Sequence, residues 1–294
     1  MDNRDWLAER FEENRSRLRG VAYRMLGSLS EADDAVQESW LRLSRSDTSQ
    51  VDNLPGWLTT VLARVCLDML RSRTARREES LDVQPSEPAA SGHRAIDPEQ
   101  EALMADSVGL ALLVVLEHLP PAERLAFVLH DMFAVPFDEI GEIVGRTPTA
   151  ARQLASRARR RVQGAPKVPG AQLEAQRAVV DAFLAALRAG DFEGLLAVLD
   201  PDVVVRADQA AAASGAPREV RGAATWARGA IAFKGGARFA RTALVDGAVG
   251  AVIAPKGRLF RVLSFMIERG KIVRIDVIGD PARLTELDLG VLGG

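Results

Sequence analysis

The apolar residues change period part-way along the chain, and that change limits the architectures open to it. Up to Val162 they recur at steps of three and four residues. From Val203 onward they alternate or run together in short segments rich in Val, Ile and Phe. A helical first half and a strand-rich second half predict a multidomain chain, with all-α modules followed by an α+β domain. The 294 residues are enough for two or three domains.

The first module reads from residue 5 to 77. In "WLAERFEENRSRLRGVAYRML", Leu7, Phe11, Leu18, Val21, Ala22, Met25 and Leu26 form an inward stripe, and Gly27 ends the helix. A second helix follows, with Ser30 expected as its N-cap and Asp33 at the capping-box position. Ala32, Val36, Ser39 and Leu43 point inward; Glu31, Asp34 and Glu38 make an acidic outward stripe. The third helix, "LPGWLTTVLARVCLDMLRSRTARR", packs through Leu58, Val61, Leu62, Val65, Met69 and Leu70 and ends in arginines. Residues 78–98 lose all periodicity and read as a flexible linker.

Residues 99–164 form a second helical module. "PEQEALMADSVGLALLVVLEHL" reads as one helix, and "PPAERLAFVLHDMF" as another, turned inward through Leu125, Val128, Leu129 and Met132. "FDEIGEIVG" is a short helix on Phe137, Ile140 and Val144. Gly141 permits close backbone approach, Gly145 stops the helix, Thr147 caps the next one and Pro148 begins it. This is a helix-turn-helix pattern. In its second helix Ala151, Leu154, Ala155, Ala158 and Val162 face inward. Thr149, Arg152, Gln153, Ser156 and Arg160 fall on the opposite face.

Charge singles out that face. Residues 1–166 hold 26 acids against 21 arginines, a net of −5, and residues 167–294 hold 17 basic residues against 14 acids, a net of +3. Inside the acidic part, the stretch from Arg152 to Arg161 carries five arginines and no acid. A merely solvated surface helix usually interleaves acids. An acid-free arginine face suits phosphates and base edges in a DNA major groove.

Other classes recede. The single cysteine, Cys66, lies in an apolar run, so no internal disulfide forms. His93, His118 and His130 have no zinc-like spacing, and neither a metal nor a cofactor is expected. The charged N-terminus is not a signal peptide, and no apolar run spans a bilayer, so a cytoplasmic protein without membrane contact is expected.

After a short linker, 165–172, residues 173–294 read as helices followed by a strand at Val203–Arg206, a helix in "GAATWARGAIAF", and antiparallel strands turning at Asp246-Gly247 and Gly270-Lys271. This tail has no His, Tyr or Cys. The remaining candidates for a base are carboxylates such as Asp202, Asp208, Asp246 and Asp276. A single buried carboxylate can serve, but Asp202 and Asp246 read better as turn residues, and no catalytic residue is assigned.

The order "YRMLGSLSEADDAVQESWLRL", "WLTTVLARVCLDMLRSRTARR", linker, "FDEIGEIVGRTPTAARQLASRARRRV" resembles extracytoplasmic-function sigma factors of bacterial RNA polymerase over residues 5–163, as region 2 followed by region 4. Residues 173–294, above all "RAGDFEGLLAVLDPDVVV", resemble a SnoaL-like domain of the NTF2-like superfamily, an α+β cone. The resemblance implies an alternative sigma factor, not an enzyme, whose partners are core RNA polymerase (β′ clamp helices and β flap) and promoter DNA. Asp33, Asp34, Gln37 and Glu38 would then contact core polymerase. Asn53, Arg64, Arg71, Arg73, Arg76 and Arg77 would serve the minus-ten element. Thr149, Arg152, Gln153, Ser156, Arg157 and Arg160 would read the minus-thirty-five element.

The tail would modulate activity through intramolecular contact with the sigma domains, and the resemblance leaves an anti-sigma partner open. Three motifs of the SnoaL-tailed subgroup test the match. Its Trp-Leu-Pro-Glu-Pro linker is replaced by "GAPKVPGA", and its Asp-Gly-Gly-Gly-Lys by "DQAAA" at 208–212. Its Asn-Pro-Asp-Lys-Leu is roughly kept as "GDPARL" at 279–284. The competing readings are a one-component helix-turn-helix regulator with a ligand-binding tail, and a small-molecule isomerase or hydrolase.

Overall fold

A computed structural model describes residues 3–46, 51, 53–79, 109–212, 218–232 and 234–292. The expected linker lies outside these residues from 80 to 98, as does the expected helix start from 99 to 108. The described residues form two compact units. One draws on 1–107 and 119–159, the other on 108–118 and 160–294.

In the first unit α1 (Asn3–Leu26), α2 (Leu29–Leu43) and α3 (Leu54–Glu79) pack on one another. All seven residues of the expected α1 stripe are buried. Removing Phe11, Leu18 or Met25 from water stabilises the bundle by about 1.5–3 kcal/mol each. Gly27, at φ +77°, closes α1 with its N–H on the Tyr23 carbonyl at 2.8 Å.

The start of α2 differs from the expectation at Ser30. After the left-handed Gly27, residue 28 is extended, so the Ser28 hydroxyl accepts from the Glu31 N–H at 3.5 Å. Ser30 is inside the helix, and Glu31 rather than Asp33 occupies the third helical position.

The same unit contains α5 (Pro121–Phe127), continued by a π turn at Val128–Met132, and α6 (Phe137–Val144). Helix α7 (Pro148–Gln163) contributes its residues up to Arg159. Helix α5 begins on Pro121 as expected, and Leu125, Val128 and Leu129 are fully buried. On α6, Ile140 and Ile143 are buried, while Phe137 and Val144 are half-buried. Arg124 is 1% exposed, and its Nε and Nη2 donate to the Arg24 carbonyl at 3.1 and 3.0 Å. Arg24 in turn lies over the Phe133 ring at 5.3 Å.

The second unit is built on a seven-stranded sheet of order β2-β1-β6-β5-β4-β3-β7. Its strands are β1 (Leu199–Ala207), β2 (Arg218–Arg221), β3 (Ala240–Val245), β4 (Ala248–Ile253), β5 (Arg261–Glu268), β6 (Lys271–Ile278) and β7 (Leu289–Gly290). Helix α8 (Gly170–Ala189) packs against β3 and β4. Helices α9 (Phe192–Val198), α10 (Ala223–Ile231), α11 (Lys234–Ala237) and α12 (Pro281–Glu286) complete the layer.

The core joins Phe183, Leu184, Leu195, Val205, Val249, Leu263, Phe265 and Ile275. This is the α+β architecture expected of the tail. One pairing departs from an all-antiparallel sheet: β1 runs parallel to β6, with Val205 opposite Ile275. The second hairpin also turns at Arg269-Gly270, both at positive φ, one residue before the expected pair. Asp246 and Gly247 turn the first hairpin, at φ 49° and 81°.

Helix α4 (Leu110–Glu117) belongs to this second unit, where it packs on β3, β7 and the short turn Pro255–Gly257. Leu113, Val114, Val115 and Leu116 are all buried, so α4 is covered around its whole circumference. Ala243, Val245 and Val252 alternate with the α8-facing residues and are buried too, so this part of the sheet is covered on both faces. The end of α7 joins the same unit: the Val291 N–H donates to the Val162 carbonyl at 2.7 Å.

Candidate nucleic-acid interface

The helix-turn-helix is set by its turn. Gly145 ends α6 in the left-handed region at φ +68°. A Cβ on Gly141 would stand 2.7 Å from the Arg146 carbonyl oxygen, so the backbone approaches there as only glycine allows. The Thr147 hydroxyl accepts from the Ala150 N–H at 3.2 Å and caps α7. Ala151, Leu154, Ala155, Ala158 and Val162 are all buried. Thr149, Arg152, Gln153, Ser156, Arg157 and Arg160 are therefore all exposed on one side.

Two arginines of α7 are not free to choose a partner. Arg157 Nε lies 3.0 Å from a carboxylate oxygen of Glu123, whose side chain is 8% exposed. Arg159, half-buried, pairs with Asp131 at 2.5 Å. Arg152 lies over the Phe137 ring at 5.3 Å, which draws its guanidinium toward the turn. Composition marks the arginines; only the fold brings Glu123 and Asp131 up to them.

The arginines of α3 divide. Arg64 and Arg71, seven residues apart, are exposed, and Arg76 is exposed and donates to the Ser72 carbonyl. Arg73 turns inward. It pairs with Glu31 at 2.5 Å and donates to the Leu26 carbonyl, fastening α3 to the α1–α2 corner. The side chain of Arg77 lies outside the described residues. Asn53 caps α3, its Oδ1 accepting from the Gly56 N–H at 3.0 Å. Trp57 is half-buried. Cys66 is fully buried, and burial pushes its thiol up to about 12, which leaves it a protonated core side chain.

The acidic side of α2 keeps Asp33, Asp34 and Gln37 exposed and Glu38 half-buried. Asp33 pairs with Arg19 at 2.7 Å and Glu38 with Arg42 at 2.9 Å. Glu31 departs from the outward stripe because Arg73 holds it.

In the tail, "DQAAA" and "GDPARL" meet at one carboxylate. Asp208 accepts from the N–H groups of Ala211, Gly279 and Asp280 and faces Arg283 at 3.4 Å. Burial pulls its carboxyl upward, but those N–H groups and Arg283 outweigh it and hold the carboxyl below its ordinary value. Asp276 pairs with Arg274, and Asp246 accepts from the Asp288 N–H. These carboxylates are tied into the scaffold rather than gathered as an acid–base pair.

The two helical modules define a DNA-binding protein of the sigma-70 class. Residues 10–76 match the model of Sigma-70 region 2, and residues 109–162 match that of Sigma-70, region 4. The ECF RNA polymerase sigma factor SigJ of Mycobacterium tuberculosis (strain ATCC 25618 / H37Rv) is 39% identical over 94% of this chain and 92% of its own. The probable ECF RNA polymerase sigma factor SigI of Mycobacterium tuberculosis (strain CDC 1551 / Oshkosh) is 34% identical over 100% of both chains. The crystal structure of the Mycobacterium tuberculosis extracytoplasmic function sigma factor SigJ aligns over 95% of this chain and 98% of its own, at 35% identity and a TM-score of 0.45. The chain belongs to the extracytoplasmic-function sigma factors. It is an alternative sigma factor that directs core RNA polymerase to promoters, an initiation factor rather than an enzyme by family. Among the described residues no helix is long and apolar enough to cross a membrane.

Proposed function

We propose that the exposed face of α7 reads the minus-thirty-five element as duplex, with Arg152 and Gln153 on base edges and Thr149, Ser156 and Arg160 on phosphates. The observation that carries this is the separation of the two sides of α7: Ala151, Leu154, Ala155, Ala158 and Val162 are buried, while Thr149, Arg152, Gln153, Ser156, Arg157 and Arg160 are exposed. Arg157 serves mainly to orient the helix through Glu123 and contributes to phosphate contact with the edge of its guanidinium. On α3, Arg64, Arg71, Arg76 and Arg77 track the displaced strand at the minus-ten element, while Arg73 supports them from inside. Asn53 sets the start of α3 and so the loop before it. Asp33, Asp34, Gln37 and Glu38 face the basic clamp helices of the β′ subunit, and residues 109–164 face the β flap. The domain limits 5–77, 99–164 and 173–294 describe these working parts.

The tail acts on region 4 through α4, which it covers with apolar residues. Deleting 173–294 would strip that cover, so the sharper test is in vitro transcription with core polymerase on a promoter library, using full-length chains. Wild type is expected to initiate at a defined promoter set. Arg152→Ala and Gln153→Ala are expected to change the preferred base at one minus-thirty-five position each. A library preference identical in both variants and wild type overturns the placement of α7.

A further inference from the structure

The basic residues of the tail are not spread evenly. Residues 220–267 hold eight basic residues and one acid, a net of +7 in a chain whose total is −2. The fold gathers half of the eight at one end of the sheet. Strand β3 starts just after Arg238 and Phe239, β4 ends at Ile253, and β5 starts just after Phe260 at Arg261. The Ala254 N–H donates to the Phe239 carbonyl at 3.2 Å, and the Phe260 N–H to the Ile253 carbonyl at 2.9 Å. Arg238, Arg241, Arg258 and Arg261 therefore share one edge.

Arg238 lies over Phe239 at 4.5 Å and Arg261 over Phe260 at 4.7 Å. Phe260 is 52% exposed. The Arg261 Nε is buried and has no acceptor among the described residues. Arg188 pins the segment from α8, donating to the carbonyls of Ala237 and Ala240, so the edge is held rather than loose.

Helix α4 touches this end of the sheet at the turn Pro255–Gly257, and Arg238 and Arg258 stay exposed there. Guanidinium groups over the half-buried Phe239 and the exposed Phe260, with no carboxylate ion pair at Arg238, Arg258 or Arg261 among the described residues, suit the phosphates of a polyanion. Beyond Gly164, which follows α7, the chain continues directly into the module that carries this edge.

We infer that the edge formed by Arg238, Arg258, Arg261 and Phe260 is a further DNA-binding surface, which holds the phosphate backbone of promoter DNA flanking the minus-thirty-five element. The inference rests on the sigma-factor reading of α7. It makes the tail a non-specific clamp that adds affinity without adding sequence preference.

The test uses full-length chain assembled with core polymerase. Binding is measured against salt on two fragments, one ending at the minus-thirty-five element and one extending 20 base pairs beyond it (a design length of about two turns). The double variant Arg238→Ala/Arg258→Ala changes two exposed side chains and should fold as wild type. On the long fragment it is expected to bind roughly tenfold more weakly per lost contact at 0.1 M salt. Its slope of log K against log salt should be lower by about 0.9 per contact. On the short fragment it should match wild type, and Arg238→Lys/Arg258→Lys should keep most of the slope.

Equal binding and equal slope for the alanine variant on the long fragment overturn the inference. So does a loss that is the same on both fragments, which would assign the edge to an acidic protein surface. If wild-type chain fails to form a promoter-binding holoenzyme at all, the sigma-factor reading itself fails, and the two failures are distinguishable.

Discussion

The arginines at the end of α3 and those along α7 look alike in the sequence and end differently in the fold. On α7 the five apolar residues are spaced so that Arg152 and Arg160 stay in water. On α3, Arg73 follows Cys66 by seven residues and Leu62 by eleven, which puts it on the buried stripe. It then has to find Glu31 and the Leu26 carbonyl. Arg124 is the extreme case, a guanidinium enclosed at the C-terminal end of α1, where the exposed carbonyls and the helix dipole favour a cation. An arginine is available to DNA only where the apolar stripe on its own helix leaves it outside.

That contrast can be broken most sharply at Arg124. Arg124→Met removes the donors of the Arg24 carbonyl inside a closed site and is expected to lower stability by about 3 kcal/mol. Urea denaturation of the full chain reads the change, and a loss below about 0.5 kcal/mol, the level of an ordinary surface substitution, would mean the site is wet.

Next come the proposed base readers. Arg152→Ala or Gln153→Ala should cost about 1–3 kcal/mol of promoter affinity and relax preference at one position, while leaving the melting temperature near wild type. The α3 pair sharpens the comparison from the other side. Arg73→Ala should lose about 1–2 kcal/mol of stability. Arg71→Ala should leave stability alone and weaken binding to minus-ten strand DNA. Thermal melts and strand-binding assays on both variants would show whether the two arginines really exchange roles.

The smallest effect belongs to Asp208. Its carboxyl is held below the ordinary range in the folded chain, so it contributes stability that is present above its unfolded pKa of about 3.9. That stability is lost as pH falls through the lower, folded pKa. Asp208→Asn should therefore destabilise the neutral protein slightly and flatten the acid limb of stability below about pH 4. An acid limb unchanged in the variant would show that other carboxylates dominate it.

Much of this is legible in the amino-acid sequence. The buried stripe of α7, the tight Gly141, the stop at Gly145 and the Thr147 cap all rest on spacing and on backbone rules local to a few residues. So do the α1 stripe and the Asp246-Gly247 turn. Where sequence and fold part, the reasons are physical. Ser30 and Ser28 are equally good caps in isolation, and the left-handed Gly27 decides between them. Arg73 carries a readable signal in its spacing from Cys66, masked by the general preference of arginine for water. Glu123 and Arg124 carry none, because their partners lie 34 and 100 residues away in the chain.

What the chain alone determined was the period of each segment, the punctuation between segments and the sign of their charge, since helix faces, caps and turns depend on neighbours within a turn or two. Tertiary structure decided which charges are spent inside the molecule and which remain at its surface. It paired Arg157 with Glu123, seated α4 on the tail sheet, laid β1 parallel to β6 and drew Arg238 and Arg258 to one edge. Those outcomes depend on which surfaces meet when apolar area leaves water, and that is a property of the whole chain rather than of any stretch of it.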